Sequence, residues 1–157
     1  MPSVLVLDDH DLIRRGIVAT IESASDFEVV AEAANARQAL SRADATHPDL
    51  AVLDMRLPDG DGAAVCRSVR QISPVTRCVV ICSVDDDAAR AAAADAGAAA
   101  FLLKSVTARV LIESLRAVAA GRVLHDTLRA APARSATRPS TVRLTPRERQ
   151  LMDLLEQ

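Results

Sequence analysis

Three aspartates and one lysine carry the chemistry this sequence can do. Asp8 and Asp9 stand side by side near the start of the chain, Asp54 closes an apolar run, and Lys104 is the one lysine among 19 basic residues, the other 18 being arginine. Carboxylates brought together repel, so such a set either binds a cation or carries raised pKa values. Hard oxygen ligands of this kind suit Mg²⁺, which takes one or two carboxylates, keeps several waters and accepts a phosphate oxygen. Beside such a metal a carboxylate can itself be the nucleophile, the aspartyl-phosphate route. A compact ammonium on a flexible stem is suited to lie over Asp54, offset the acidic cluster and pair with an added phosphoryl group.

Other chemistries lack their residues. The first apolar run is followed by DDHDLIRRG rather than a glycine-rich fingerprint, so the site is not built to cradle a pyrophosphate on backbone amides. Cys66, Cys78 and Cys82 are odd in number and contain no CxxC pair, which points to a reduced compartment. None of His10, His47 and His125 has a metal-ligand partner at short spacing, and His10 lines the rim of the acidic site or serves as a turn residue. With no Trp, no Tyr and two Phe, base stacking has almost nothing to work with, so any nucleic-acid contact falls to arginine. No apolar run approaches the roughly 18 residues of a membrane span and no cleavable leader is evident, so the expectation is a cytoplasmic protein with no membrane contact.

The elements that must position these residues alternate. Short runs rich in Val, Leu or Ile at Val4 to Leu7, Glu28 to Ala33, Leu50 to Leu53, Cys78 to Ile81 and Ala99 to Leu103 read as buried parallel strands. Amphipathic stretches between them predict helices over Asp11 to Ala24, Ala36 to Ala45, Gly62 to Ile72, Asp86 to Ala96 and Thr107 to Ala120. Connections that long and helical require crossovers, so the fold class is α/β, a five-stranded doubly wound parallel sheet. With strand order 2-1-3-4-5 the first and third strands are neighbours, and Asp8, Asp9 and Asp54 converge at the topological switch point, with Lys104 on the same edge. Asp85, Asp86 and Asp87 read as a helix N-terminus, where negative charge is favoured. LPDGDG after Asp54 reads as a turn with glycine turn formers and lacks the closing Glu of a calcium loop. Cys78 and Cys82 read as small core residues.

Residues 1–121 carry 12 basic and 17 acidic groups, net −5, whereas 122–157 carry 7 and 4, net +3. The expected organisation is one domain over 1–121, a linker over 122–143 containing AAPARSATRPST, and a helix within 144–157. In that last segment Thr145 is placed as N-cap, Pro146 at the first helical position and Glu148 to close a capping box. Arg143, Arg147 and Arg149 lie on or beside it.

Asp8-Asp9, Asp54 followed by MRLPDGDG, and Lys104 preceded by FLL closely resemble a response-regulator receiver domain of two-component signalling, a CheY/flavodoxin-like fold. The tail LTPRERQLMDLL is similar to the opening helix of a NarL/LuxR-type helix-turn-helix domain, which implies a chain that stops early in that domain. The resemblance implies that Asp54 accepts a phosphoryl group from a sensor histidine kinase. Mg²⁺ would be held by Asp9, Asp54 and the backbone carbonyl of Arg56, with Asp8 orienting it through water. It further implies a homodimer that controls transcription, with DNA bound only through the C-terminal domain.

One departure from the family is central. The family places a Thr or Ser hydroxyl at the end of the fourth strand; here that position is Cys82, and a thiol is a poor donor. Ser83 would substitute only if the strand end slipped by one residue, reversing its facing. The aromatic switch position falls on Phe101, which has no phenolic hydroxyl, and Ser105 follows the lysine in place of the more usual Pro or Asp. The expectation is therefore phosphorylation weakly coupled to conformational change. A second reading is a phosphate-independent dimerisation scaffold. A distant third is an aspartyl-phosphate phosphatase or phosphotransferase, which would want an acid where Arg56 stands.

Overall fold

In the computed structural model, which describes residues 1–124, the five apolar runs form one parallel sheet. Its strands are β1 (Ser3–Leu7), β2 (Glu28–Ala33), β3 (Leu50–Asp54), β4 (Arg77–Cys82) and β5 (Ala100–Leu103), in the order β2-β1-β3-β4-β5. The helices α1 (Asp11–Ser23), α2 (Ala36–Thr46), α3 (Gly62–Ile72), α4 (Asp87–Asp95) and α5 (Ala108–Ala119) lie within a residue or two of the expected bounds. The linker over 122–143 lies almost wholly outside the described residues, and the helix over 144–157, with its capping box and arginines, entirely so.

Burial on both faces explains the unbroken apolar runs. β3 is buried along its whole length, and β1 from its second residue. Leu5, Leu7, Ala51, Leu53, Cys78, Val80 and Cys82 join one core with Ala39, Val65, Cys66, Val69 and Ala93 of α2, α3 and α4. Their strand neighbours Val4, Val6, Val52, Val79 and Ile81 are also buried and, by the alternation of a strand, face the other side. Each fully buried Leu or Val contributes about 1.5–3 kcal/mol relative to exposure, so the sheet centre is the rigid part. β2, at one edge, alternates exposed Glu28, Val30 and Glu32 with more covered residues, and charge on an edge discourages pairing with another chain.

Local signals set the helix starts. Asn35 caps α2 by accepting from the Gln38 N–H, Asp61 caps α3 from Ala64, and Thr107 caps α5 from Val110. Asp86 accepts from the N–H groups of Ala88 and Ala89, so the aspartate run does begin α4. The loop after Asp54 is more ordered than a plain turn, with a short antiparallel ladder pairing Arg56–Leu57 with Gly60–Asp61. Asp59 in that loop accepts from the N–H groups of Ala36 and Arg37, which ties it to the start of α2 and lowers the Asp59 pKa.

Candidate functional site

Asp8 directly follows β1 and Asp54 ends β3, and because β1 and β3 are adjacent in register their carboxylates share one pocket. Asp8 is fully buried and Asp54 is 3% exposed. Lys104, just past β5, places its Nζ 2.9 Å from Asp8 Oδ2 and 3.1 Å from Asp54 Oδ2. Its backbone N–H donates to the Cys82 carbonyl at 2.8 Å, so the end of β4 anchors the lysine. The second oxygens are held locally: His10 N–H donates to Asp8 Oδ1 at 2.8 Å, and Arg56 N–H to Asp54 Oδ1 at 3.3 Å.

The electrostatics follow from burial. Desolvation pushes Asp54 up to about 6, reinforced by the charge of Asp8 and opposed by Lys104 and the Arg56 N–H. Burial works against the Lys104 charge, yet Asp8 and Asp54 together outweigh it and raise its pKa. Ligand atoms of Asp8, Asp9, His10 and Asp54 lie within 4.8 Å of one another. Asp8 Oδ2 and Asp54 Oδ2 are buried and accept no well-directed hydrogen bond, their contacts to Lys104 being ion pairs. Three carboxylates against one ammonium leave negative charge and free lone pairs in a confined space, which fits a hard divalent cation.

Around this centre the residues singled out by sequence have distinct places. Asp9 is partly open to solvent, and His10 sits at the rim with Nδ1 3.2 Å from Asp9 and 3.5 Å from Asp8. Cys82 is buried as the last residue of β4, opposite Leu103, so no slip of the strand end brings Ser83 in its place; Ser83 is exposed. Phe101 is 1% exposed, in register with Val80 and turned into the core. Arg56, two residues after Asp54, directs its side chain away to Asp86, with Nη2 3.4 Å from Oδ2.

Three residues matter that the sequence did not mark. Arg14 donates from Nη1 to the Asp8 carbonyl at 2.8 Å while also pairing with Asp11 and Glu32, and so braces the acidic loop. Its only sequence signal was the Asp11–Arg14 spacing along one helix face. Gly62 is the first residue of α3, as the helix expected over Gly62 to Ile72 places it, but its packing role has no sequence signal. A Cβ there would lie 2.6 Å from the Asp54 carbonyl oxygen and 2.9 Å from the Met55 Cα, so glycine lets α3 press against the end of β3. Arg90 of α4 is 8% exposed with its Cζ 4.7 Å from the Phe101 ring centroid, a burial that nothing in an alanine-rich stretch announces.

Comparison with known proteins gives one consistent answer. The response regulator receiver domain family matches residues 4–116. The DNA-binding transcriptional activator DevR/DosR of Mycobacterium tuberculosis is 36% identical over 163 residues, spanning 100% of this chain and 75% of the relative. The nitrate/nitrite response regulator protein NarL of Escherichia coli K12 is 35% identical over 162 residues, spanning 99% and 75%. Among solved structures, the signal receiver domain of the putative response regulator NarL from Mycobacterium tuberculosis superposes with a TM-score of 0.74 at 38% identity, covering 77% of this chain and 98% of that one. A LuxR-family response regulator from Aurantimonas sp. SI85-9A1 gives 0.75 at 32% identity, covering 78% and 88%.

Proposed function

This chain belongs to the response-regulator receiver family of the NarL/LuxR type, and from that premise we propose that Asp54 is its phosphoacceptor in a two-component system. The observation that carries the proposal is the Lys104 ammonium bridging two buried carboxylates, Asp8 and Asp54, at 2.9 and 3.1 Å. An Asp54 carboxylate oxygen attacks the phosphorus of a phosphohistidine on a sensor histidine kinase. The new P–O bond forms as the P–N bond breaks, and the electron pair leaves on the imidazole nitrogen. Lys104, released in part from Asp54, pairs with the phosphoryl oxygens. Asp9, Asp54 and the Arg56 carbonyl would hold Mg²⁺, with Asp8 supporting it from the second rank of the acidic cluster. When bound, the metal neutralises charge on the transferring group. With Asp54 near 6, part of the metal-free population is protonated and not nucleophilic at neutral pH, so removing the metal should slow labelling most below pH 7.

The reading extends to the whole regulator. Residues 1–121 act as the receiver, 122–143 as linker and 144–157 as the opening helix of a LuxR-type helix-turn-helix domain. The phosphorylated state changes the homodimer and thereby DNA binding, since a twofold protein suits a palindromic site. No helix among the described residues is long and apolar enough to cross a membrane; the regulator meets its kinase in the cytoplasm. The chain is a phosphoacceptor rather than a phosphatase or phosphotransferase, because the place for a second acid holds Arg56, whose side chain turns to Asp86.

Incubation with acetyl phosphate and Mg²⁺ should add one phosphoryl mass that Asp54→Asn abolishes. The buried thiol of Cys82 favours one alternative, a dimerisation scaffold working without phosphate, and absence of labelling would select it. Label that turns over rapidly with release of phosphate would select the enzyme.

A further inference from the structure

Arg14, in the first turn of α1, joins three segments around the acidic cluster although it is not itself a ligand or a nucleophile. Its side chain is 14% exposed, and all three nitrogens of the guanidinium are engaged. Nη1 donates to the Asp8 backbone carbonyl at 2.8 Å, Nε to Glu32 Oε1 of β2 at 3.2 Å, and Nη2 to the Asp11 carboxylate. A planar fork holds acceptors in three fixed directions at once, which a compact ammonium does not.

The carbonyl that Arg14 holds belongs to the peptide group joining Asp8 to Asp9. Because a peptide group is planar, fixing its carbonyl fixes the whole unit, and the two units that meet at a Cα set the direction of its Cβ. At Asp9 one of these units is held by Arg14, and the other is held by the His10 N–H, which donates to Asp8 Oδ1 at 2.8 Å. The unit before them is fixed as well, since the Asp8 N–H donates to the Ala33 carbonyl at 3.1 Å. The Asp9 side chain is 32% exposed, and among the described residues it pairs with His10 alone. Its carboxylate lies close to the buried ones of Asp8 and Asp54, and their charge favours turning it out to water. The braced backbone opposes that turn.

We propose that Arg14 is a positioning residue for the metal: by holding the Asp8–Asp9 peptide group it keeps the Asp9 carboxylate aimed into the cluster, and so sets the affinity of the site for a hard divalent cation. The proposal rests on the reading of the acidic cluster as the metal site. Charge alone predicts the reverse, because a guanidinium beside the cluster repels an incoming cation and its removal would tighten binding. The sign of the effect therefore separates positioning from electrostatics. Without the brace only a fraction of the molecules presents Asp9 inward, and the apparent affinity falls by that fraction. With the metal bound, Asp9 is inward whether or not Arg14 is present, so the loss falls on metal binding rather than on the phosphoryl step.

Mn²⁺ takes the same oxygen ligands as Mg²⁺ and serves as the probe, its free concentration read by electron paramagnetic resonance as the full chain is titrated. Arg14→Met should weaken Mn²⁺ binding by roughly 10- to 100-fold, the range for losing a partner that orients a metal ligand. Arg14→Lys keeps the charge without the fork and should weaken it by roughly 3- to 10-fold. Arg15→Met removes a charge from the next position, where the side chain is 74% exposed and pairs with Asp11, and should leave binding unchanged or tighter. Loss of the site in Asp9→Asn identifies it as the acidic cluster. With acetyl phosphate, the Mg²⁺ concentration for half-maximal labelling should rise in Arg14→Met by the same factor as the Mn²⁺ affinity falls, while the rate at saturating Mg²⁺ stays within about twofold of the parent. Equal or tighter Mn²⁺ binding in Arg14→Met would overturn the proposal. Should that variant fail to fold, parent-like binding in Arg14→Lys overturns it instead. A parent that binds no Mn²⁺ at the cluster would overturn the metal reading and the role of Arg14 together. A parent that binds Mn²⁺ yet takes no phosphoryl label would remove the phosphoacceptor reading, while the comparison of Mn²⁺ affinities would still decide the role of Arg14.

Discussion

At the end of the sheet where the strands begin, buried polar side chains are neutral and satisfied. Thr76 donates to the Pro48 carbonyl at 2.5 Å and is joined to Ser73 at 2.8 Å, and Asp49, at the surface, takes both the N–H and hydroxyl of Ser3. At the other end, where the strands finish, Asp8 and Asp54 are buried as acids beside one ammonium, each with an oxygen lacking a directed hydrogen bond. The two ends lie on the same strands and within one core, so packing cannot account for the contrast. The first end lowers the energy of the fold; the second raises it and holds the carboxylates where a cation and a phosphoryl group would relieve them.

The largest effect should come from breaking the charged end without touching a charge. Gly62→Ala places a methyl group 2.6 Å from the Asp54 carbonyl oxygen, against backbone that has little room to yield. We expect a loss of about 3 kcal/mol or more in denaturant unfolding, with phosphoryl labelling reduced in whatever protein folds. Wild-type stability in this variant would mean that α3 is not pressed on β3.

At the quiet end, Thr76→Val keeps the shape but leaves the Pro48 carbonyl and the Ser73 hydroxyl buried without partners. A loss of about 2 kcal/mol is expected, with phosphoryl labelling unchanged in the folded protein. A labelling defect in this variant would show that the two ends are coupled.

Asp54→Asn should move stability the opposite way. Burial pushes the folded Asp54 carboxyl up to about 6, from the ordinary 3.8 of an aspartate. Below about pH 4 both folded and unfolded chains hold the proton and the substitution changes little. As pH rises towards 6 the unfolded chain releases the proton while the folded chain retains it, so the wild type loses stability that the variant keeps. In metal-free buffer the variant should be more stable at pH 7 by between about 1 and 2 kcal/mol, less than the shift alone gives because Lys104 loses a partner. Added Mg²⁺ should narrow the gap by stabilising only the wild type. A gap independent of pH would mean that burial of the Asp54 charge is not its source.

The contrast between the ends is partly legible in the sequence. Asp54 and Lys104 could be placed because each lies at the end of an unbroken apolar run, a feature local in sequence, and parallel winding puts the ends of such runs on one edge. Gly62 was visible as the start of the third helix, but its close approach to Asp54 exists only once α3 lies against β3. Arg90 in an alanine-rich helix looks like a solvated charge; its burial depends on Phe101, which reaches it only through the pairing of β4 with β5. Arg14 likewise acts across to Glu32 on β2. Residues that do chemistry were legible by type, whereas residues that hold them in place depend on contacts between distant segments.

The smallest expected effect concerns Cys82, where the two styles of burial meet. It is a fully buried thiol in the apolar core at the charged end, and its carbonyl holds Lys104. Cys82→Thr leaves that backbone bond intact and adds a hydroxyl that lacks an assigned partner in the resting protein, at a cost of up to about 1 kcal/mol in stability. With a phosphoryl analogue on Asp54 the hydroxyl gains an acceptor that the thiol uses poorly, so beryllofluoride should bind roughly 3- to 10-fold more tightly in Mg²⁺. Unchanged affinity together with an unchanged dimer would mean that the thiol is no handicap and that coupling is not weakened at the end of β4.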